Sequence, residues 1–169
     1  MKNLFKLALV ALFLISGTAV AQSKVGHVDF DSIIRLMPRY DSVKKHSEEY
    51  GKKLDLEYQT MYQDYEKKVA EFKANELVWT EFIKGMKKKD LEGLQQNLQE
   101  FPQNAQNEMA KKNQELLAPL EKSARKAVDD VAKENKYTMV LDNSAGNLLY
   151  TTPSDDLMPL VKKKLGILK

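Results

Sequence analysis

Apolar residues recur every three or four positions through the middle of the chain, and the alternation expected of strands is confined to its flanks. Tyr50, Leu54, Tyr58, Met61, Tyr65, Val69 and Phe72 form one such row. Their mean step of about 3.67 fits an eleven-residue repeat better than a heptad, so the row predicts a helix that pairs almost straight. Leu91, Leu94, Leu98, Phe101, Ala105, Met109, Leu116, Leu120, Ala124, Ala127 and Val131 form a second row on a similar period. Charged and amide residues fill the remaining faces of both. The pattern predicts one helix from about Pro38 to Asn75, a reversal over Asn75–Thr80 with Thr80 as N-cap, and a second helix after it.

The strand-like pieces are Lys24–Phe30 before the helices, and Tyr137–Leu141 with Asn147–Thr151 after them. A helical excursion whose ends return to one small sheet must double back on itself. Folding the stripes about residue 77 sets Tyr50 near position 104 and Phe72 near Phe82, with each arm helix about 35 residues and on the order of 50 Å long. The expected fold class is α+β and mostly helical: a small β body with three short strands, carrying a long antiparallel helical-hairpin arm. Residues 22–37 and 120–169 belong to the body, and 38–119 form the arm, with its tip near 75–80. Tyr137–Leu141 and Leu148–Thr151 read as a hairpin around a loose polar turn. Asp31–Met37 reads as a short helix, and a last helix begins near Asp155 or Asp156 and stops at Gly166. Pro102 and Pro119 each remove a ladder hydrogen bond and are expected to bend the second helix.

Charge and the N-terminus sharpen this picture. Lys2 and Lys6, the apolar run Leu7–Ile15 and Ala19-Val-Ala21 have the layout of a cleaved export signal over residues 1–21. The run is too short to span a bilayer comfortably. Without Lys2 and Lys6 the chain holds 25 basic against 24 acidic residues, a balance that gives no reason to expect a nucleic-acid partner. The absence of cysteine excludes a disulfide framework and a lipid anchor after the signal. Together these predict an exported, periplasmic protein whose small sheet gains burial by oligomerising.

Two histidines and no cysteine leave no metal-ligating set, so no metal, cofactor or catalytic residue is expected. Asp142, Asp155 and Asp156 are explained by turn and cap roles. Binding is the better expectation. Met and aromatic side chains offer apolar area that re-packs around many sequences, and Tyr58, Met61, Tyr62, Tyr65, Phe72, Phe101 and Met109 are the candidates on the arm. All but Tyr62 lie on the stripes and also serve to seal the hairpin. At the tip, Trp79, Phe82, Ile83 and Met86 supply more apolar surface than a hairpin end needs. Lys84, Lys87, Lys88 and Lys89 surround them, a combination suited to client segments or to anionic lipid headgroups. The alternative is a hydrophobic plug beside a solvated charge run.

Five passages carry a resemblance. They are Lys24-Val-Gly-His-Val-Asp-Phe30, Leu116-Leu-Ala-Pro-Leu120, Val131-Ala-Lys-Glu-Asn-Lys-Tyr137, Val140-Leu-Asp-Asn143, and Asp155-Asp-Leu157 with Val161-Lys-Lys-Lys-Leu165. In this order, around a charged helical centre, the chain resembles the Skp/OmpH family of periplasmic chaperones. The resemblance implies a homotrimer in which strands from three subunits build a barrel-like body, with three hairpins projecting around a cavity. It further implies that unfolded outer-membrane β-barrel proteins are held there without ATP and delivered towards the membrane. Val25, Val28, Val140, Leu141, Leu148 and Leu149 are then expected to form the sheet core and the trimer interface, because a short open-edged sheet needs partners. An exported coiled-coil adaptor or spacer, recognising one folded envelope partner, would use the same arm.

Overall fold

The computed structural model describes residues 23–167, so the assignment of residues 1–21 to an export signal lies outside the described residues. The first element of the described residues is strand β1, Val25–Val28, which pairs in parallel with β2, Met139–Asp142. The register aligns Val25 with Met139 and Val28 with Asp142. Thr138 N–H donates to Lys24 O at 2.8 Å, and Asn143 N–H donates to Val28 O at 2.9 Å, extending the ladder beyond both ends. Neighbouring strands separated by the entire helical excursion require the chain to go out and come back. The doubling back expected from the hydrophobic stripes therefore follows from the sheet itself.

Helix α1, Phe30–Leu36, starts at Asp29, whose Oδ1 accepts from Ser32 N at 2.8 Å and whose Oδ2 accepts from Ser32 Oγ at 2.6 Å. It buries Ile33 and Ile34 and ends at Met37, where the following proline disfavours helical backbone. Helix α2 runs from Tyr40 to Asn75, about 54 Å at 1.5 Å per residue. Helix α3 runs from Glu81 to Glu134, and its 54 residues span about 80 Å. Thr80 caps it as the sequence suggests, its hydroxyl accepting from Ile83 N at 3.4 Å. With 36 residues α2 is close to the length of about 35 expected of each arm helix, and α3 continues from the arm into the body. It passes through Pro102 and Pro119 as one helix.

The core sits where α3 meets the sheet. Leu120, Ala124, Ala127 and Val131, spaced four, three and four, turn one face of α3 onto Val28, Ile33 and Ile34. Helix α4, Met158–Leu165, closes the cluster with Val161, preceded by Leu157. Asp156 Oδ1 accepts from Met158 N at 2.8 Å at its start, and Gly166 ends it in the left-handed conformation, φ 69°. Gly26 is required for packing, since a β-carbon there would collide with Leu157 and the Tyr137 ring.

The third strand is also corrected. Among the described residues Leu148–Thr151 joins no ladder. Asp142 Oδ1 accepts from Ser144 N at 2.9 Å and from Phe30 N at 3.2 Å, which turns the chain off the end of β2 instead of back along it. The chain returns to the sheet further on. Asp156 bridges His27, and Leu157 N–H donates to His27 O at 2.9 Å. The expected antiparallel hairpin is thus replaced by a parallel β1–β2 pair.

Candidate functional site

The arm is α2 laid antiparallel on the first two-thirds of α3. Ser47 Oγ donates to Asn113 Oδ1 at 2.5 Å, and Tyr50 OH donates to Glu108 Oε2 at 2.7 Å. The Tyr58 and Phe101 rings lie 5.6 Å apart, and Lys87 Nζ sits 2.8 Å from Glu71. Each facing pair centres on about residue 79 or 80. The expected pivot at 77 is therefore displaced, because Glu76–Thr80 extends beyond the end of α2 before α3 begins. Tyr50 faces Glu108 where position 104 was expected, and Phe72 packs edge-on against Trp79, centroids 5.9 Å apart, where Phe82 was expected.

One seam holds this hairpin. Leu54 is its buried residue, while Met61, Tyr65, Phe72, Phe101 and Met109 are half-buried. Tyr58 and Tyr62 are exposed at 36% and 46%. The glutamate at 66 raises the Tyr62 phenol above its usual pKa through its charge and then through its hydrogen bond. The Glu108 hydrogen bond likewise raises Tyr50. At the other end of the arm, the Lys87 ammonium holds the Glu71 carboxyl below the usual range.

The tip is open. Phe82 and Met86 are exposed, and Ile83 and Trp79 are half-buried. Leu77 at 98% and Val78 at 79% exposure are barer still. Sequence reasoning passed over both, together with Leu56. The available signal was Leu77-Val-Trp79 itself, an apolar run where a loop would ordinarily be polar. The lysines divide into two pairs. Lys87 is committed to Glu71 and lies 5.2 Å above the Trp79 ring, and Lys84 is 2.9 Å from Glu81. Lys88 and Lys89 are exposed, and the described ion pairs include neither. Lys89 lines a shallow groove of about 670 Å³ with Asp64, Lys68, Met86, Asp90, Gly93, Leu94 and Asn97.

In the body, the six residues expected at the interface divide as well. Val28 is consumed by the chain's own core, and Val140 packs half-buried against it. That burial gives Val28 the sheet-core role. Val25 and Leu141 are exposed, Leu148 is half-buried, and Leu149 is fully exposed. Among the described residues no group of three or more His, Asp or Glu is placed to hold a metal, and no helix is long and apolar enough to cross a membrane.

A two-helix arm with bare apolar residues at its end, standing on a small open-edged sheet, defines an arm-bearing α+β protein. A family profile described as "Outer membrane protein (OmpH-like)" matches residues 24–165, and the chain belongs to that family. A crystal structure of a protein from Caulobacter crescentus, described as a "putative outer membrane chaperone (OmpH-like)", superposes with a TM-score of 0.65 at 14% identity. The match covers 84% of this chain and 83% of that one, and it shows a shared fold. The comparison with curated proteins gives no match.

Proposed function

We propose that this protein is an ATP-independent periplasmic holdase chaperone. It binds unfolded outer-membrane proteins between helical arms, prevents their aggregation and aids their delivery to the outer membrane. The observation that carries this reading is the bare tip, with Leu77, Val78, Phe82 and Met86 all exposed at the end of the arm. Such apolar area has no purpose in a private core and suits weak, adaptable contact with many sequences. Membership of the OmpH-like family supports the chaperone role. The export signal over residues 1–21 belongs to the same reading.

The proposal includes a homotrimer. The exposed edge residues Val25 and Leu141, with Leu149, would be covered by neighbouring subunits, and the arms would then surround a common cavity. Lys88 and Lys89 would provide peripheral contact with anionic lipid. The decisive experiment mixes the mature protein with several unrelated unfolded β-barrel proteins at near-stoichiometric ratio without nucleotide, and follows light scattering. General suppression of aggregation is expected. Suppression of none, with tight binding to one folded envelope protein, would establish an adaptor instead.

A further inference from the structure

The middle of the arm departs from the rule that governs its other surfaces. Elsewhere exposed positions carry ion pairs, including Lys44–Glu48, Lys45–Glu49, Lys53–Glu57 and Lys112–Glu115. Between residues 93 and 107 of α3 the only charge is Glu100, and eight exposed positions are Gln or Asn. The facing stretch of α2, Tyr58–Gln63, has no charge at all. Three of the eight are asparagines, which favour helix less than Glu or Lys and forgo the support of charge pairs four apart. A face kept soluble by default would not be built this way.

Helical geometry divides the belt into two sides. The groove on one side contains Asp64 and Lys68 of α2 with Gly93 and Asn97 of α3. At about 100° per residue, Tyr58 and Tyr62 lie across the α2 seam from Asp64 and Lys68. Gln95, Gln99 and Gln106 lie across the α3 seam from Asn97, and so share the side that bears the two tyrosines. Three other amides of the belt are engaged: Gln96 donates to Glu100 at 2.8 Å, and Gln103 donates to Asn107 at 3.3 Å. None of the described side-chain hydrogen bonds engages Gln95, Gln99 or Gln106.

We infer that this side of the mid-arm binds the main chain of an extended polypeptide. A carboxamide both donates and accepts, as a peptide group does, so a row of free amides can pair with backbone N–H and C=O whatever the side chains are. The two exposed tyrosines add apolar contact with a hydroxyl tip. With Glu100 as the only charge of α3 between residues 93 and 107, and Glu66 beside Tyr62, the belt is sparse in charge, so the grip depends little on the net charge of the client or on salt. The inference rests on the holdase reading and deepens it: the ligand is recognised by its backbone.

The test uses two synthetic peptides of alternating valine, threonine and tyrosine, one N-methylated at every second residue so that those donors are lost. Binding to the full mature protein is read by fluorescence anisotropy. The unmethylated peptide should bind about tenfold more tightly. The Q95A/Q99A/Q106A variant keeps good helix formers, so its circular dichroism should be unchanged. It should bind both peptides alike, at the weaker level. Equal binding of the two peptides by the unaltered protein would overturn the inference, as would a variant that retains the preference. Aggregation suppression without backbone discrimination removes this inference alone. Failure both to suppress aggregation and to bind either peptide removes the holdase reading with it.

Discussion

One helix, α3, passes through two environments. In the body its Leu120, Ala124, Ala127 and Val131 are buried to 4% exposure or less, because α1, α4 and the sheet surround them. In the arm the same helix meets only α2, and Leu94, Leu98, Phe101, Ala105 and Met109 on a comparable stripe are half-buried. The stripes look alike in sequence. Their fates differ because burial is set by how many elements converge on a helix, not by the stripe itself. A body made this way can carry global stability, while an arm sealed along one seam leaves both flanks and its end free for binding.

Ile33→Ala offers the largest expected effect on this contrast. Ile33 is fully buried where α1, α3 and α4 meet, so its truncation should cost about 2–5 kcal/mol of global stability in denaturant unfolding. A loss below about 1 kcal/mol would deny the body its role. Leu54→Ala should cost less globally, since the seam is its only support. Amide exchange should accelerate around residues 47–61 and 98–113 while protection at Val131 persists. Equal acceleration in the body would show that arm and body unfold as one unit.

The tip should behave differently again. Replacing Leu77 and Phe82 with serine removes exposed surface only, so stability should change by no more than about 0.5 kcal/mol. Aggregation suppression should nevertheless weaken several-fold. The smallest effect concerns the clasp between Glu71 and Lys87. The folded Glu71 carboxyl titrates below its ordinary range, so the clasp is intact above that range and is lost as pH falls through the lowered value. Trp79, the single tryptophan, lies under the same lysine and reports this by fluorescence. Lys87→Gln should abolish the transition.

Much of this architecture is legible in the sequence because it rests on local signals. The stripes, the Thr80 cap and the Gly166 stop each depend on residues within a turn or two. The OmpH-like family profile spans residues 24–165, which include both stripes and the Thr80 cap. What escaped was non-local. The third strand is lost to the path after Asp142, where a carboxylate accepting from Phe30 and Ser144 diverts the chain. The pivot shifted because five residues, Glu76–Thr80, separate the helices, and a hydrophobic pattern does not measure a turn. Leu77 and Val78 were missed for a related reason. An apolar run between two helices reads as part of one stripe until the reversal leaves it bare.

The division between a binding arm and a stabilising body can be tested by site-specific photo-crosslinking to an unfolded outer-membrane β-barrel protein. Probes belong at Tyr62 and Phe82 on the arm and at Leu36, an exposed apolar residue of the body. Strong adducts at Tyr62 and Phe82 with little at Leu36 are predicted. Equal or stronger adducts at Leu36 would contradict the account.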